Sequence, residues 1–269
     1  MAQQVTYKQN VIVLRKRDLG ESDLVLSLLA EDGSRIEAVA KGARKPQSAQ
    51  STRLELFSCA EVHFARGKSL DIAKESRVVT SYQAIRDDFD KTACASVMAE
   101  AADKTLVVGT QILKLYPMFQ AALNALSTCD SQTSPAIVAG YLLKLFAFLG
   151  IRPNLTSCVH CGGAIDLSTS GFQRISFEDG GALCNACRTA SDAVSVKSAT
   201  LGWSEALLMS SFADIEGQRV HARTSFDVLQ FCQQWMRVHL GITLKSLNYL
   251  FAYATFDDTE ENTENACRE

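Results

Sequence analysis

The chain has 269 residues, 47% of them hydrophobic and 21% charged, with a formal net charge of −3. At roughly 100–200 residues per domain this predicts two or three compact units, with enough apolar surface to build cores without disulfides, which excludes a largely disordered chain. The slightly acidic total announces no nucleic-acid partner, but Met1–Arg77 carries 13 Lys+Arg against 10 Asp+Glu while the remainder carries 14 against 20, so the two portions differ in electrostatic character.

The first ten residues, MAQQVTYKQN, are polar and contain no apolar leader core, which predicts the reducing cytoplasm and makes the nine cysteines thiols or metal ligands. A run of Val11, Ile12, Val13 and Leu14 predicts a first strand that ends at Arg15-Lys16-Arg17. Leu24, Leu26 and Leu28 then alternate, Asp32-Gly33 supplies a turn, and Ile36, Ala38 and Ala40 share a face. A further strand is expected over Glu55–Phe64, with Leu56, Val62 and Phe64 on one side, and Gly67-Lys68 turns the chain towards Leu70 and Ile72. Five short strands in about 75 residues fit a small closed barrel, because closure removes exposed edges.

From about Arg86 the period becomes helical. Phe89, Ala93, Val97, Ala101 and Leu106 mark one stripe; Leu113, Tyr116, Ala121 and Leu123 mark a second, which Pro117 should kink. Ser134-Pro135 reads as an N-cap followed by proline at the first helical position, opening a helix over Ala136–Leu149 closed by Gly150 and Pro153. The apolar stretch Ala136–Ile151 contains Lys144 and falls short of the roughly 20 residues that cross a bilayer, so it predicts a buried core helix and no membrane partner. Apolar residues return to helical spacing over Trp203–Phe212, Phe226–Leu240 and Leu244–Tyr253; the acidic tail from Asp257 has little to bury and predicts disorder.

Between the helical blocks stand Cys158-Val-His-Cys161 and Cys184-Asn-Ala-Cys187. Each Cys-x-x-Cys places two thiolates on a tight knuckle, and two knuckles close a tetrahedral sulfur site around one zinc ion. Gly162 and Gly163 suit the turn. Four sulfur ligands leave no position for water, so such a metal is structural; His160 reads as a bystander. A disulfide pair conflicts with the expected compartment, and a thioredoxin-like redox motif conflicts with the second matching pair.

Enzyme motifs are wanting. Gly67-Lys68-Ser69 mimics the end of a phosphate-binding loop without its upstream glycine, whose place Val62 occupies, and no G-x-G-x-x-G, H-E-x-x-H or G-x-S-x-G occurs. His63, His221 and His239 read as ordinary partly buried histidines. Cations do gather on the barrel: Arg15, Lys16 and Arg17, then Lys41, Arg44, Lys45 and Arg53 in a stretch from Ala38 without an acid. Placed on one rim they would track a phosphate backbone; the alternative is a solvated loop.

The order of parts resembles the bacterial recombination-mediator RecO family. The residues that carry it are Val13-Leu14 with Arg17, Gly20-Glu21-Ser22-Asp23, Gly33, Ala40-Lys41-Gly42-Ala43-Arg44-Lys45 with Ser48, and Leu54–Phe57. The two knuckles after Gly150-Ile151-Arg152-Pro153 and Leu244-Lys245-Ser246 also carry it. The resemblance implies an α+β chain: an OB-type barrel over 1–80, a helical domain in two parts over 81–154 and 191–256, a four-cysteine zinc-binding insertion over 155–190, and the tail over 257–269. It further implies a non-enzymatic protein that binds single- and double-stranded DNA, anneals complementary strands, and helps load RecA onto strands coated by single-strand-binding protein. Its implied partners are RecR and the acidic carboxyl tail of the single-strand-binding protein, the latter at Lys245. The family often has arginine directly after Leu-Lys-Ser, where this chain has Leu247. Two other readings stand beside it: a zinc-stabilised nucleic-acid enzyme such as a nuclease, and an interaction scaffold without DNA binding.

Overall fold

The computed structural model describes residues 5–253 apart from residues 47, 108, 169, 188–192 and 219, so the tail over 257–269 lies outside the described residues. The first 80 residues form β1 (Thr6–Leu19), β2 (Asp23–Ala30), β3 (Arg35–Ala40), the short helix α1 (Ala49–Arg53), β4 (Cys59–Ala65) and β5 (Asp71–Thr80). The strands close in the order β1-β2-β3-β5-β4, with β3 and β5 parallel. That order, with a helix between β3 and β4, is an OB-type barrel.

Three details differ from the sequence reading. Arg15, Lys16 and Arg17 lie inside β1 and do not end it, because pairing with β2 continues to Leu19↔Asp23. The strand expected over Glu55–Phe64 starts at Cys59, since Phe57 is left-handed at φ 69° and the Ser58 N–H and hydroxyl both donate to the Glu55 carbonyl. β2 is buried from Leu24 through Ala30 and shows no alternation. Its two faces meet different cores: Leu24, Leu26 and Leu28 fill the barrel with Val11, Val13, Val62 and Phe64, while Leu29 joins Ile12, Leu14 and Cys59 against the helices.

A bulge at Leu14 separates the pairs Val13↔Leu28 and Arg15↔Ser27. The extra residue resets the alternation, so Leu14 and then Arg15 both serve the helix side. The Asp32-Gly33 turn is present, and Gly33 is required there: φ is +81°, and a Cβ would stand 2.2 Å from the Ile112 carbonyl oxygen.

Next come α2 (Gln83–Arg86), α3 (Phe89–Thr105), α4 (Leu115–Thr128) and α5 (Ser134–Phe148). The sheet β6 (Phe172–Ser176), β7 (Gly181–Leu183) and β8 (Val194–Lys197) follows in the order β7-β6-β8, then α6 (Ser198–Met209), α7 (Phe212–Gly217), α8 (Ala222–Leu240) and α9 (Lys245–Tyr253). Helices from both sides of the cysteine segment share one core around α5, which is buried from Ser134 to Leu143 and packs on α3, α4, α6, α7 and α8. Each fully buried Leu or Ile there contributes about 1.5–3 kcal/mol. No helix among the described residues is long and apolar enough to cross a membrane.

Local expectations shift in several places. Pro117 sits third in α4, where its missing N–H has no helical acceptor to serve, and it interrupts nothing. Leu113 precedes that helix and is 72% exposed, and Ala121 faces solvent while Ala122 is buried. Thr133 rather than Ser134 is the N-cap of α5. Phe89 is 60% exposed, although Val97, Ala101 and Leu106 bury as expected. Lys144 reaches out of the core and donates to the carbonyls of Leu207 and Leu208 at the end of α6; burial lowers its pKa to about 8.

Candidate nucleic-acid interface and metal centre

The two cysteine pairs meet beside β7. In the first knuckle the Cys158 N–H donates to the Gly163 carbonyl and the Gly162 N–H to the Cys158 carbonyl, both at 2.8 Å, with Gly162 at φ +75°. The Val159 N–H donates to the Ala182 carbonyl at 3.0 Å, which docks this knuckle on β7; the second knuckle follows that strand directly. All four sulfurs lie within 4.8 Å of one another, and Cys161 and Cys184 Sγ are 3.6 Å apart. A tetrahedral zinc with bonds of about 2.3 Å needs sulfur separations of about 3.8 Å. The donor set therefore fits a metal ion.

The local field favours thiolates at part of the site. Donation from the Cys184 backbone is the largest influence lowering Cys158 to about 6, and donation from the Cys187 backbone lowers Cys184. Neighbouring sulfur pushes Cys187 up to about 12, chiefly through Cys184. Four close thiols without a cation cannot all ionise, because each negative sulfur opposes the next. His160 turns away to Asp179 at 2.8 Å, so the sulfurs alone form the site. Among the described residues no other group of three or more His, Cys, Asp or Glu is close enough to hold a metal, and the described cysteines form no disulfide.

The cations of the barrel divide into engaged and uncommitted groups. Arg15 Nε is 2.9 Å from Asp103 on α3, and Lys16 Nζ is 2.9 Å from Glu55, so these neighbours are drawn to opposite faces of β1 and do not share one rim. Arg53 donates to the Ser76 carbonyl on β5. Lys41, Arg44 and Lys45 occupy the loop between β3 and α1, which folds onto the β1–β2 turn: the Arg44 N–H donates to the Ser22 carbonyl, its guanidinium donates to the Gly20 carbonyl, and it pairs with Asp18 at 3.1 Å. Lys41, Lys45 and Arg17 are exposed and have no ion-pair partner among the described residues. Acids that the sequence reading passed over, Asp18, Glu55 and Asp103, decide which cations remain available. No local pattern could reveal them, since Glu55 and Asp103 act across 39 and 88 positions.

Lys245 opens α9. Its backbone N–H and that of Ser246 donate to the Glu100 carboxylate at 3.0 and 2.8 Å, and Lys104 pairs with the same carboxylate at 2.8 Å. The Lys245 side chain is exposed without an ion-pair partner among the described residues, while Leu247, next in the turn, is fully buried.

Comparison with known proteins covers nearly the whole chain. Residues 1–82 match the model of the Recombination protein O N terminal domain, and residues 86–248 match that of the Recombination protein O C terminal domain. The DNA repair protein RecO of Desulfitobacterium hafniense strain DSM 10664 / DCB-2 is 32% identical over 247 residues, 89% of this chain and 87% of the relative. That of Bifidobacterium adolescentis is 31% identical over 251 residues, 91% and 98%, and that of Syntrophomonas wolfei is 30% identical over 227 residues, 84% and 88%.

Proposed function

Since the chain belongs to the RecO family of DNA repair proteins, we propose that it is a non-enzymatic accessory that holds single- and double-stranded DNA on its barrel, anneals complementary strands and helps load RecA. The observation that carries this reading is the exposed loop of Lys41, Arg44 and Lys45 folded onto the β1–β2 turn of an OB-type barrel, with Arg17 exposed nearby in sequence on β1. Cations that reach phosphates displace condensed counterions and give affinity without reading bases. Arg53 extends the surface; Arg15 and Lys16 would join only by exchanging Asp103 and Glu55 for phosphate.

One structural zinc, held by Cys158, Cys161, Cys184 and Cys187, would fix the segment over 155–190 between the two helical parts. The close grouping of four sulfurs supports it. RecR and the acidic carboxyl tail of single-strand-binding protein are the protein partners of this reading, with the uncommitted ammonium of Lys245 offered to the acidic tail. A protein that works on DNA with those partners belongs in the cytoplasm.

The test is strand annealing by the purified full chain with and without magnesium, together with a salt titration of DNA affinity. Annealing without magnesium and a steep salt dependence support the reading. Binding that is absent at low salt would make the chain an interaction scaffold, and loss of DNA strands only when magnesium is present would make it a nuclease.

A further inference from the structure

Asp23 stands beside the basic loop, where charge alone would have it repel DNA. Its bonds give it the opposite part. Its Oδ1 accepts the Gly42 N–H at 2.7 Å and the Ser22 hydroxyl at 3.0 Å. Gly42 is left-handed at φ +65°, the turn that brings Lys41 and Ala43–Lys45 round the carboxylate, and the Lys45 N–H closes it on the Gly42 carbonyl. With the Arg44 bonds to Ser22 and Gly20, the β1–β2 turn and the basic loop become one stitched unit. The Gly42 N–H, then the Ser22 hydroxyl, with attraction from Lys41 and Lys45, hold the Asp23 carboxyl below its usual range, so it stays ionised in place.

We propose that Asp23 is a positioning residue for the DNA contact: by clamping the Gly42 turn it presents Lys41, Arg44 and Lys45 together, and losing it weakens DNA binding although a negative charge is removed. The inference rests on the DNA-contact reading above. Asp18 is its counterpart of opposite sign. It pairs with the Arg44 guanidinium and accepts no hydrogen bond from the loop backbone among the described residues, so it only withholds a cation.

Affinity of the full chain for a mixed-sequence single-stranded oligonucleotide is measured across a salt series for Asp23→Ala, Asp23→Asn, Asp18→Asn and Gly42→Ala, with the Lys41→Ala/Lys45→Ala double variant alongside. Asp23→Ala should bind about tenfold more weakly, as when the competent loop falls to about a tenth of the population, and by a similar factor at every salt concentration, because the bound loop still meets the same phosphates. Asp23→Asn keeps an oxygen for the Gly42 N–H and should bind as wild type or more tightly; Asp18→Asn should bind more tightly. Gly42→Ala leaves every charge in place and its Cβ would come no closer than 3.6 Å to Lys45, yet the +65° backbone is strained by any side chain, so it should weaken binding too. The idea is overturned if Asp23→Ala and Asp23→Asn tighten binding alike, or if Gly42→Ala matches wild type. A double lysine variant that binds like wild type would instead remove the DNA-contact reading itself.

Discussion

Arg15 Nε lies 2.9 Å from Asp103 Oδ2, joining the first strand of the barrel to the first long helix of the body. The same carboxylate accepts the Ser27 hydroxyl and lies 3.3 Å from Arg35, whose side chain is only 16% exposed. Asp103→Ala leaves Arg35 with Glu37 as its remaining acid. Leaving the buried Ser27 hydroxyl without its acceptor and a mostly buried guanidinium with one acid fewer costs about 1–3 kcal/mol. The expected outcome is a lowered denaturant midpoint, whereas Arg15→Ala, at a half-exposed side chain, should cost far less. Equal midpoints for wild type and Asp103→Ala would contradict this role.

Not every cation on the barrel should matter equally to DNA. Lys41→Ala and Lys45→Ala should each flatten the log–log salt slope by about 0.7 on single strands. Arg44→Ala should change it less, because its charge is already met by Asp18. The variant with all three residues changed to alanine should lose between about 1.4 and 2 in slope, across unrelated sequences alike, with its zinc content unchanged. A triple variant with an unaltered slope places the DNA contact elsewhere.

Metal analysis of the purified chain should give one zinc per molecule. Cys158→Ser or Cys184→Ser should lose it and loosen the β6–β7 hairpin, since zinc binding and local folding are coupled. Amide exchange at Val159, which donates to Ala182, reads this directly. Exchange there that is indifferent to chelator would argue against a metal-held segment.

Glu100 should make the seat of α9 sensitive to acid. Burial opposes its ionisation, but donation from Lys104 and from Ser246 and Lys245 outweighs it and lowers the carboxyl from 4.5 to about 2. A depressed carboxylate stabilises the fold fully above its unfolded value, and that contribution fades as pH falls from about 4.5 through about 2. Thermal midpoints of Glu100→Gln should therefore decline less between pH 5 and pH 2 than those of wild type. Parallel declines would show that another group carries the effect.

The legible parts of the fold were those written in local pattern. The five strands, the buried helix around Leu142 and the cysteine spacing all declare themselves within a few residues. The helix α1 stayed hidden because five residues carry no period, and the unbroken burial of β2 follows from helices packing on its outer side. The basic run was equally plain, yet its division was not: whether Arg15 or Lys41 is free depends on Asp103 and on the approach of Ser22 to Arg44, which no window of sequence contains. Acids near a basic surface count against it in a tally of charge, so Asp23 is invisible until its hydrogen bonds are seen.

The extra residue at Leu14 makes β1 a counting device. Ahead of it, Val11 and Val13 face the barrel interior; beyond it, Arg15 stands opposite Ser27 and Lys16 opposite Leu26. Were the ladder to run on without the bulge, Leu14 would stand opposite Ser27 and Arg15 opposite Leu26, on the side that Lys16 now takes, leaving Asp103 without its partner on β1. Deleting Leu14 would instead leave Arg15 opposite Ser27 in a regular ladder and would remove one side chain from the helical core. The bulge in this strand, more than its composition, is what ties the barrel to the helices behind it.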